Sequence, residues 1–252
     1  MIEFEHVHKT YADGTVAIEN LTLSVETGEF MVFVGPSGCG KTTMLRLINR
    51  MEETTEGQVR VEGKDVMSLN PIALRRSIGY VIQGGGLLPH RTVVDNIATT
   101  PLLNGMSRRQ ARAKALELMP VVGLDQSLAR RYPSQLSGGQ AQRVGVARAL
   151  AAGARTLLMD EPFSAIDPVV RRDLQREIKR IQRDTSATVV FVTHDINEAL
   201  LLADRLAVIG PHGRIEQLDT PDRVLSAPAN AWVRDFIEAG HPQIHAGTET
   251  GE

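Results

Sequence analysis

The chain is 252 residues long, 42% hydrophobic and 23% charged, with a formal net charge of −2. That length and balance describe one large soluble domain or two small ones, and exclude a mainly disordered chain or a collagen-like scaffold. A single cysteine, Cys39, excludes an intrachain disulfide, and near-neutral charge supplies no broad basic field for nucleic acid or acidic lipid. Residues 2–7 (IEFEHV) and 22–26 (TLSVE) alternate as half-buried strands do. Residues 30–34 (FMVFV) form a buried-type strand that runs directly into GPSGCGKT, and 42–50 (TTMLRLINR) read as a helix with Leu45 and Ile48 on one face. Two further strands are predicted at 59–63 and 78–82. From about 87 to 152 helical stretches dominate, a helical insert in a strand-rich core. Apolar strands return at 156–162 (TLLMDEP), 188–194 (TVVFVTH) and 205–210 (RLAVIG), separated by helical segments. Buried strands alternating with helices predict an α/β fold whose mainly parallel sheet is covered on both faces.

The beginning, MIEFEHVHKTY, lacks the charged-then-apolar pattern of a signal peptide, and no apolar run approaches the roughly 20 residues of a membrane helix. The expectation is a cytoplasmic protein; if it works at a membrane, another subunit supplies the spanning part. Residues 240–252 (GHPQIHAGTETGE) are polar and glycine-containing, and a frayed tail is predicted there.

Gly35-Pro36-Ser37-Gly38-Cys39-Gly40-Lys41-Thr42 matches G-x-x-x-x-G-K-[ST]. Glycines let the backbone curl so that successive N–H groups face phosphate oxygens, and the helix that follows begins with unpaired N–H groups and a positive dipole end. Lys41 adds a full charge near the β- and γ-phosphates, and Thr42 offers a hydroxyl oxygen to Mg2+. Cys39 sits in a loop whose contacts are made by backbone, so it reads as a passenger rather than a nucleophile. The strand 157–159 ends in Asp160-Glu161-Pro162, and two carboxylates at the carboxyl end of a strand are the expected partner of a phosphate loop. Asp160 is expected to hold Mg2+, and Glu161 to position and polarise the attacking water. Gln83 and His194 also follow buried-type strands and are expected at the same sheet edge. Gln83 is placed to reach Mg2+ and the water, and His194 to contact the γ-phosphate.

Residues 136–140 read Leu-Ser-Gly-Gly-Gln and precede AQRVGVARAL. With the phosphate loop, TLLMDEP, Ser164-Ala165-Ile166-Asp167 and the Thr193-His194 pair, this resembles the ATP-binding cassette (ABC) family of transport ATPases from Phe4 to about Gly240. The resemblance implies a P-loop NTPase core with a mainly parallel sheet, an N-terminal antiparallel β subdomain and a helical insert subdomain. Residues 1–240 would then be one ATPase domain, with the insert at about 87–152 and a flexible tail at 241–252. It implies a head-to-tail pair of copies in which each ATP lies between one copy's phosphate loop and the other's LSGGQ. Nucleotide contact is thereby assigned to Tyr11, which stacks on adenine; to Gly35, Pro36, Ser37, Gly38, Cys39, Gly40, Lys41, Thr42 and Thr43; and to Ser137, Gly138, Gly139, Gln140 and Asp167. Catalysis is assigned to Glu161, His194, Gln83 and Lys41, with Thr42, Gln83 and Asp160 toward the metal. The cofactors implied are ATP and Mg2+. Read without the resemblance, LSGGQ has the alternative of a helix start capped by Ser137, which explains the serine but not both glycines.

The resemblance places Gln83 at the hinge between core and insert, facing a membrane partner. The Gly84-Gly85-Gly86 run after it predicts an unusually mobile hinge. IGYVIQ…GLLPHRTVVDNIATTPLL and PANAWVRDFIEAG are most similar to ATPases of osmoprotectant importers, which carry glycine betaine, choline and related quaternary amines. The partners implied are a transmembrane permease on the inner membrane's cytoplasmic face and, indirectly, a solute-binding protein; no nucleic acid is implied. Many such subunits carry a long C-terminal regulatory region. This chain stops soon after Gly240, so ionic-strength sensing through such a region is not expected. Another importer, an exporter, or a cassette working without a membrane partner remain open alternatives.

Overall fold

A computed structural model describes residues 1–240; the tail expected at 241–252 lies outside the described residues. The chain opens with β1 (Ile2–Thr10), β2 (Val16–Val25) and β3 (Phe30–Val34), then α1 (Lys41–Ile48), β4 (Glu56–Val61), β5 (Lys64–Asp65), α2 (Pro71–Ser77) and β6 (Ile78–Val81). The insert follows as α3 (Val93–Ile97), α4 (Thr99–Leu103), α5 (Arg108–Val121) and α6 (Gly138–Ala151). The core resumes with β7 (Thr156–Asp160), α7 (Pro168–Thr185), β8 (Thr188–Thr193), α8 (Ile196–Leu202), β9 (Arg205–Ile209) and β10 (Ile215–Asp219), and closes with α9 (Pro221–Ser226) and α10 (Ala231–Gly240).

Two sheets result. An antiparallel sheet has the order β2-β1-β4-β5, and a six-stranded sheet the order β10-β9-β3-β8-β7-β6. In the second, β9, β3, β8, β7 and β6 run parallel and only β10 is antiparallel. The expected fold is therefore present. Its central strands are apolar at nearly every position because each face of the sheet packs on a separate core. Phe30, Val32 and Val34 enter one cluster while Met31 and Phe33 enter the other; Val189 and Phe191 against Val190 and Val192 repeat the alternation on β8. The first cluster is roofed by the insert, α7, α8 and the terminal helices; the second by α1 and the antiparallel sheet. Phe191 lies at the centre of the first, its ring 6.0 Å from Phe30 and 5.3 Å from Phe163. Burial of each such ring contributes on the order of 1.5–3 kcal/mol.

Helix boundaries follow local chemistry. Asp167 caps α7 through the Val169 amide, Pro168 occupies the first helical position, and Ser186 ends the helix in a left-handed conformation. Buried Leu174, Gln175, Ile178 and Gln182 form one stripe along α7. Three of the departures from the sequence reading have a clear local cause. The strand expected at 22–26 begins at Val16, because Asp13 and Gly14 turn the chain back on β1, with the Tyr11 amide bonded to the Thr15 carbonyl at 2.9 Å. The strand expected to run through 162 ends at Asp160, because Glu161 adopts φ 46°. β10 was not anticipated: its residues are half-buried throughout, so it lacks an apolar alternation.

Candidate nucleotide site

Parallel pairing of β3, β8, β7 and β6 brings four carboxyl ends to one edge of the sheet. The phosphate loop leaves β3, Gln83 follows β6, Asp160 and Glu161 terminate β7, and His194 follows β8. This is the edge at which ligands bind in sheets of this kind. A cavity of about 290 Å3 opens there, lined by Tyr11, Thr15, Val16, Ala17, Ser37, Gly38, Gly40, Lys41, Thr42, Thr43, Gln83 and Glu161. A larger cleft of about 720 Å3, lined by Met1, Glu62 and Arg155 among others, contains none of the motif residues.

The loop is built from its backbone outward. Gly40 caps α1 with φ 105°, and a Cβ there would stand 2.4 Å from the Ala17 carbonyl oxygen, so only glycine fits. No acidic residue occupies the first turn of α1, which leaves its positive end for an anion. Lys41 is 5% exposed, and its ammonium donates to the carbonyls of Gly35 and Pro36, each at 2.7 Å. Cys39 is buried, with Sγ 3.6 Å from Lys41 Nζ and its carbonyl accepting from the Gly213 amide. The lysine thus braces the loop from within, and its third donation goes to Cys39 Sγ, a weak acceptor that a phosphate oxygen would outcompete. Tyr11 is half-buried; its hydroxyl is within 3.1 Å of Thr43 Oγ1, and Lys9 Nζ lies 4.9 Å from the centre of its ring.

The acidic side is equally specific. Thr42 Oγ1 donates to Asp160 Oδ1 at 2.9 Å. Burial pushes the Asp160 carboxyl above the ordinary aspartate range and the Glu161 charge adds to this, while the Thr42 hydroxyl, Arg46 and Lys41 pull it down. A buried carboxylate pushed toward its neutral form, bonded to an alcohol oxygen, is a hard-oxygen pair that gains from a divalent cation, so these residues fit Mg2+. Glu161 lies between two strand-end residues: Gln83 Nε2 donates to Oε2, and His194 Nδ1 lies against Oε1, both at 3.1 Å. Its side chain is 16% exposed and that of His194 55%. The left-handed φ of Glu161 stores on the order of 1–3 kcal/mol of strain, held in place by its amide bonding to the Val192 carbonyl.

Ser137, Gly138, Gly139 and Gln140 do not line this cavity. Ser137 caps α6: Oγ accepts from the Gln140 amide at 3.2 Å, and Gln140 Oε1 accepts from the Ser137 amide at 2.9 Å. A Cβ on Gly139 would stand 2.8 Å from the Ala165 carbonyl oxygen, so the second glycine answers to a contact inside the chain as well. Ser137, Gly138 and Asp167 face solvent.

The three-glycine turn after Gln83 is held by contacts the sequence reading did not anticipate. Gly85 is buried against α6, where a Cβ would meet the Ala141 carbonyl oxygen at 2.9 Å. Arg148 of α6 forks over the turn, donating to the carbonyls of Gly85 and Gly86 at 2.8 Å each. Glycine here permits close approach, and the guanidinium converts that approach into a clamp. Arg148→Ala is expected to lower stability by about 1.5–3 kcal/mol, the value of a charged hydrogen bond, and to speed amide exchange selectively at residues 84–87. Unchanged exchange there in the variant would show that the clamp is idle.

The motif spacing disclosed most of this site. It did not disclose Thr15, Val16 and Ala17, although the Asp13-Gly14 pair is a turn signal that returns the chain beside Tyr11. Nor did it disclose Arg148.

The ABC transporter family model matches residues 18–164, which contain the phosphate loop, Gln83, LSGGQ and the Asp160-Glu161 pair. The chain belongs to the ABC transporter family. Over 94% of its length this cassette is 52% identical to the carnitine transport ATP-binding protein OpuCA of Listeria monocytogenes and spans 59% of that relative. It is 47% identical to the choline transport ATP-binding protein OpuBA of Bacillus subtilis, spanning 62% of it. It is 50% identical to the glycine betaine uptake system ATP-binding protein YehX of Escherichia coli, spanning 76% of it. The chain therefore spans about three fifths of the length of the first two of these ABC relatives. A solved dimeric post-hydrolysis structure of the ATP-binding cassette MJ0796, bound to ADP and Pi, superposes with a TM-score of 0.83 at 35% identity, covering 88% of this chain and 99% of that one.

Proposed function

We propose that this chain is the ATP-hydrolysing subunit of a bacterial importer of quaternary amine osmoprotectants, acting as a head-to-tail pair. The observation that carries the reading is the Glu161 carboxylate held between Gln83 and His194 at the mouth of the phosphate-loop cavity. Phosphoryl transfer to water needs such a group more than any covalent partner, because catalysis is mostly positioning and charge stabilisation.

ATP enters with its triphosphate on the curled amides of residues 35–43 and its adenine toward Tyr11. Thr42 and Asp160, with Gln83 beside them, would hold Mg2+, which would supply charge neutralisation to the triphosphate. Gln83 and His194 turn from Glu161 to the incoming γ-phosphate and its water. The free carboxylate orients that water in line. The water oxygen bonds to the γ-phosphorus, the bond to the bridging oxygen breaks, and the proton leaves by way of Glu161. The cavity of about 290 Å3 is at the lower edge of the roughly 300–1,000 Å3 of small-molecule sites, which favours a pocket completed by a second copy. Ser137, Gly138 and the capped α6 terminus, solvent-facing here, supply the missing wall, with Asp167 beside it.

No helix among the described residues is long and apolar enough to cross a membrane. A permease therefore supplies the spanning path, with this subunit on the membrane's cytoplasmic face and a solute-binding protein delivering cargo. The names of the relatives favour carnitine, choline and glycine betaine as solute class. Phosphate release per chain is expected to rise with protein concentration as pairs form, and loss of this subunit to abolish cellular uptake of labelled glycine betaine or choline. A rate per chain that stays flat down to a monomeric concentration counts against the shared pocket, and unchanged uptake against the solute class.

A further inference from the structure

Arg171, in the first turn of α7, lies between two segments to which the proposed function gives separate tasks. Its Nη2 donates to the Ile166 carbonyl of Ser164-Ala165-Ile166-Asp167 at 3.1 Å. Its Nη1 lies 3.6 Å from Glu198 Oε1 on α8. The other Glu198 oxygen accepts from the Thr193 hydroxyl at 2.8 Å, and Thr193 Oγ1 accepts from the Asp195 amide at 3.0 Å. Thr193 and Asp195 flank His194. A continuous polar chain thus joins the Ser-Ala-Ile-Asp segment, in which Ile166 is buried and its neighbours Ser164, Ala165 and Asp167 are exposed, to the His194 turn through the molecule's interior, where Thr193 is 2% and Glu198 7% exposed.

We propose that Arg171 and Glu198 are positioning residues: a strut that makes the partner-facing Ile166 segment and the His194 turn move together, so that pairing of two copies sets His194 against the γ-phosphate. The inference rests on the reading of the chain as a paired ATPase. Three observations carry it. Burial pushes the Glu198 carboxyl up and Asp195 adds to this, while the Thr193 hydroxyl, Arg171 and His194 pull it down; an apolar residue of similar size would avoid that opposition if packing were its only task. Arg171 is the residue type whose planar fork reaches two acceptors at once. Its Nε is buried without a hydrogen-bond partner among the described residues, and 3.6 Å to Glu198 is longer than a formed hydrogen bond, so only the Ile166 anchor is a formed bond. Movement of either segment toward the guanidinium would improve its contacts, as an element with two arrangements requires. The Ile166 segment also backs the start of α6, where Ala165 abuts Gly139. Both partner-facing features therefore bear on one end of the strut.

The test uses the full chain with Arg171→Ala, Arg171→Lys and Glu198→Gln. Four quantities are measured: ATP affinity, kcat, KM, and ATP-driven pairing in the Glu161→Gln background. Expected are an ATP affinity within about twofold of the parent, a kcat lower by about tenfold or more, and pairing shifted to higher protein concentration. Arg171→Lys keeps the charge opposite Glu198 but not the bond to Ile166. It should fold and still lose most of the turnover, which keeps the test decisive if Arg171→Ala does not fold. Turnover and pairing within about twofold of the parent in Arg171→Lys and Glu198→Gln overturn the strut, as does a loss of kcat matched by an equal loss of ATP affinity. A parent that neither pairs nor hydrolyses ATP overturns the paired-ATPase reading with it; an active parent with unaffected variants overturns the strut alone.

Discussion

Glu161→Gln is expected to bind ATP and pair, yet release phosphate at least about 100-fold more slowly than the parent, within the roughly 10²–10⁴-fold span that positioned acid–base groups supply. The substitution is nearly isosteric. The amide oxygen still accepts from Gln83 or the attacking water, but it has no charge with which to draw a proton. The strained φ of 46° is unaffected, since the backbone contact that holds it, Glu161 amide to Val192 carbonyl, involves no side chain. Affinity should therefore survive while turnover does not, a loss confined to the transition state. Phosphate release and light scattering with ATP measure the two separately. Near-normal turnover in the variant removes Glu161 from its role.

Lys41→Ala should strike the ground state instead. Its ammonium bonds the Gly35 and Pro36 carbonyls and, weakly, Cys39 Sγ, the donation a phosphate oxygen would take over. A charge-assisted bond is worth about 1.5–3 kcal/mol, so nucleotide affinity should fall roughly 10- to 150-fold from that contact alone. Loss of the internal brace adds to this, because two loop carbonyls lose their donor and the amide cradle loses its shape. Calorimetric titration with ATP in chelator reads the affinity, and a thermal melt reads the brace. Unchanged binding counts against the phosphate-loop assignment; unchanged melting alone would show that the loop keeps its curl without the lysine.

The parallel core was legible because its strands are apolar end to end, and strands such as 30–34 and 188–193 cannot be read otherwise once glycine-rich or acidic turns bound them. The candidate site was legible because its chemistry sits at fixed offsets from those strands: Lys41 and Thr42 after β3, Asp160 at the end of β7 with Glu161 next to it, His194 after β8. What sequence did not disclose are contacts made across long separations by residues with no motif of their own. Arg148 reaches back 62 residues to Gly86, and nothing in ARAL announces a clamp. Three consecutive glycines suggested freedom because their intrinsic conformational range is wide, whereas the middle one, Gly85, packs closely on α6. β10 and the short helices escaped for a different reason: runs of five to seven residues hold too few periods to separate from a loop. Ser137 proved to be a helix cap, as its residue type alone allowed; its service to a partner's nucleotide is a further proposal.

The contact between Gly139 and the Ala165 carbonyl has a bearing on inheritance. Were each pocket assembled from independent halves, a lesion in LSGGQ would silence only the sister's ATP, and a mixed pair would keep one working chamber. At Gly139 added bulk presses on the same molecule's Ser-Ala-Ile-Asp segment, and the proposed Arg171 strut would carry that displacement to the same molecule's His194, in the other chamber. In a cell making both versions, one faulty allele would then spoil each mixed assembly on both sides and behave as a dominant trait.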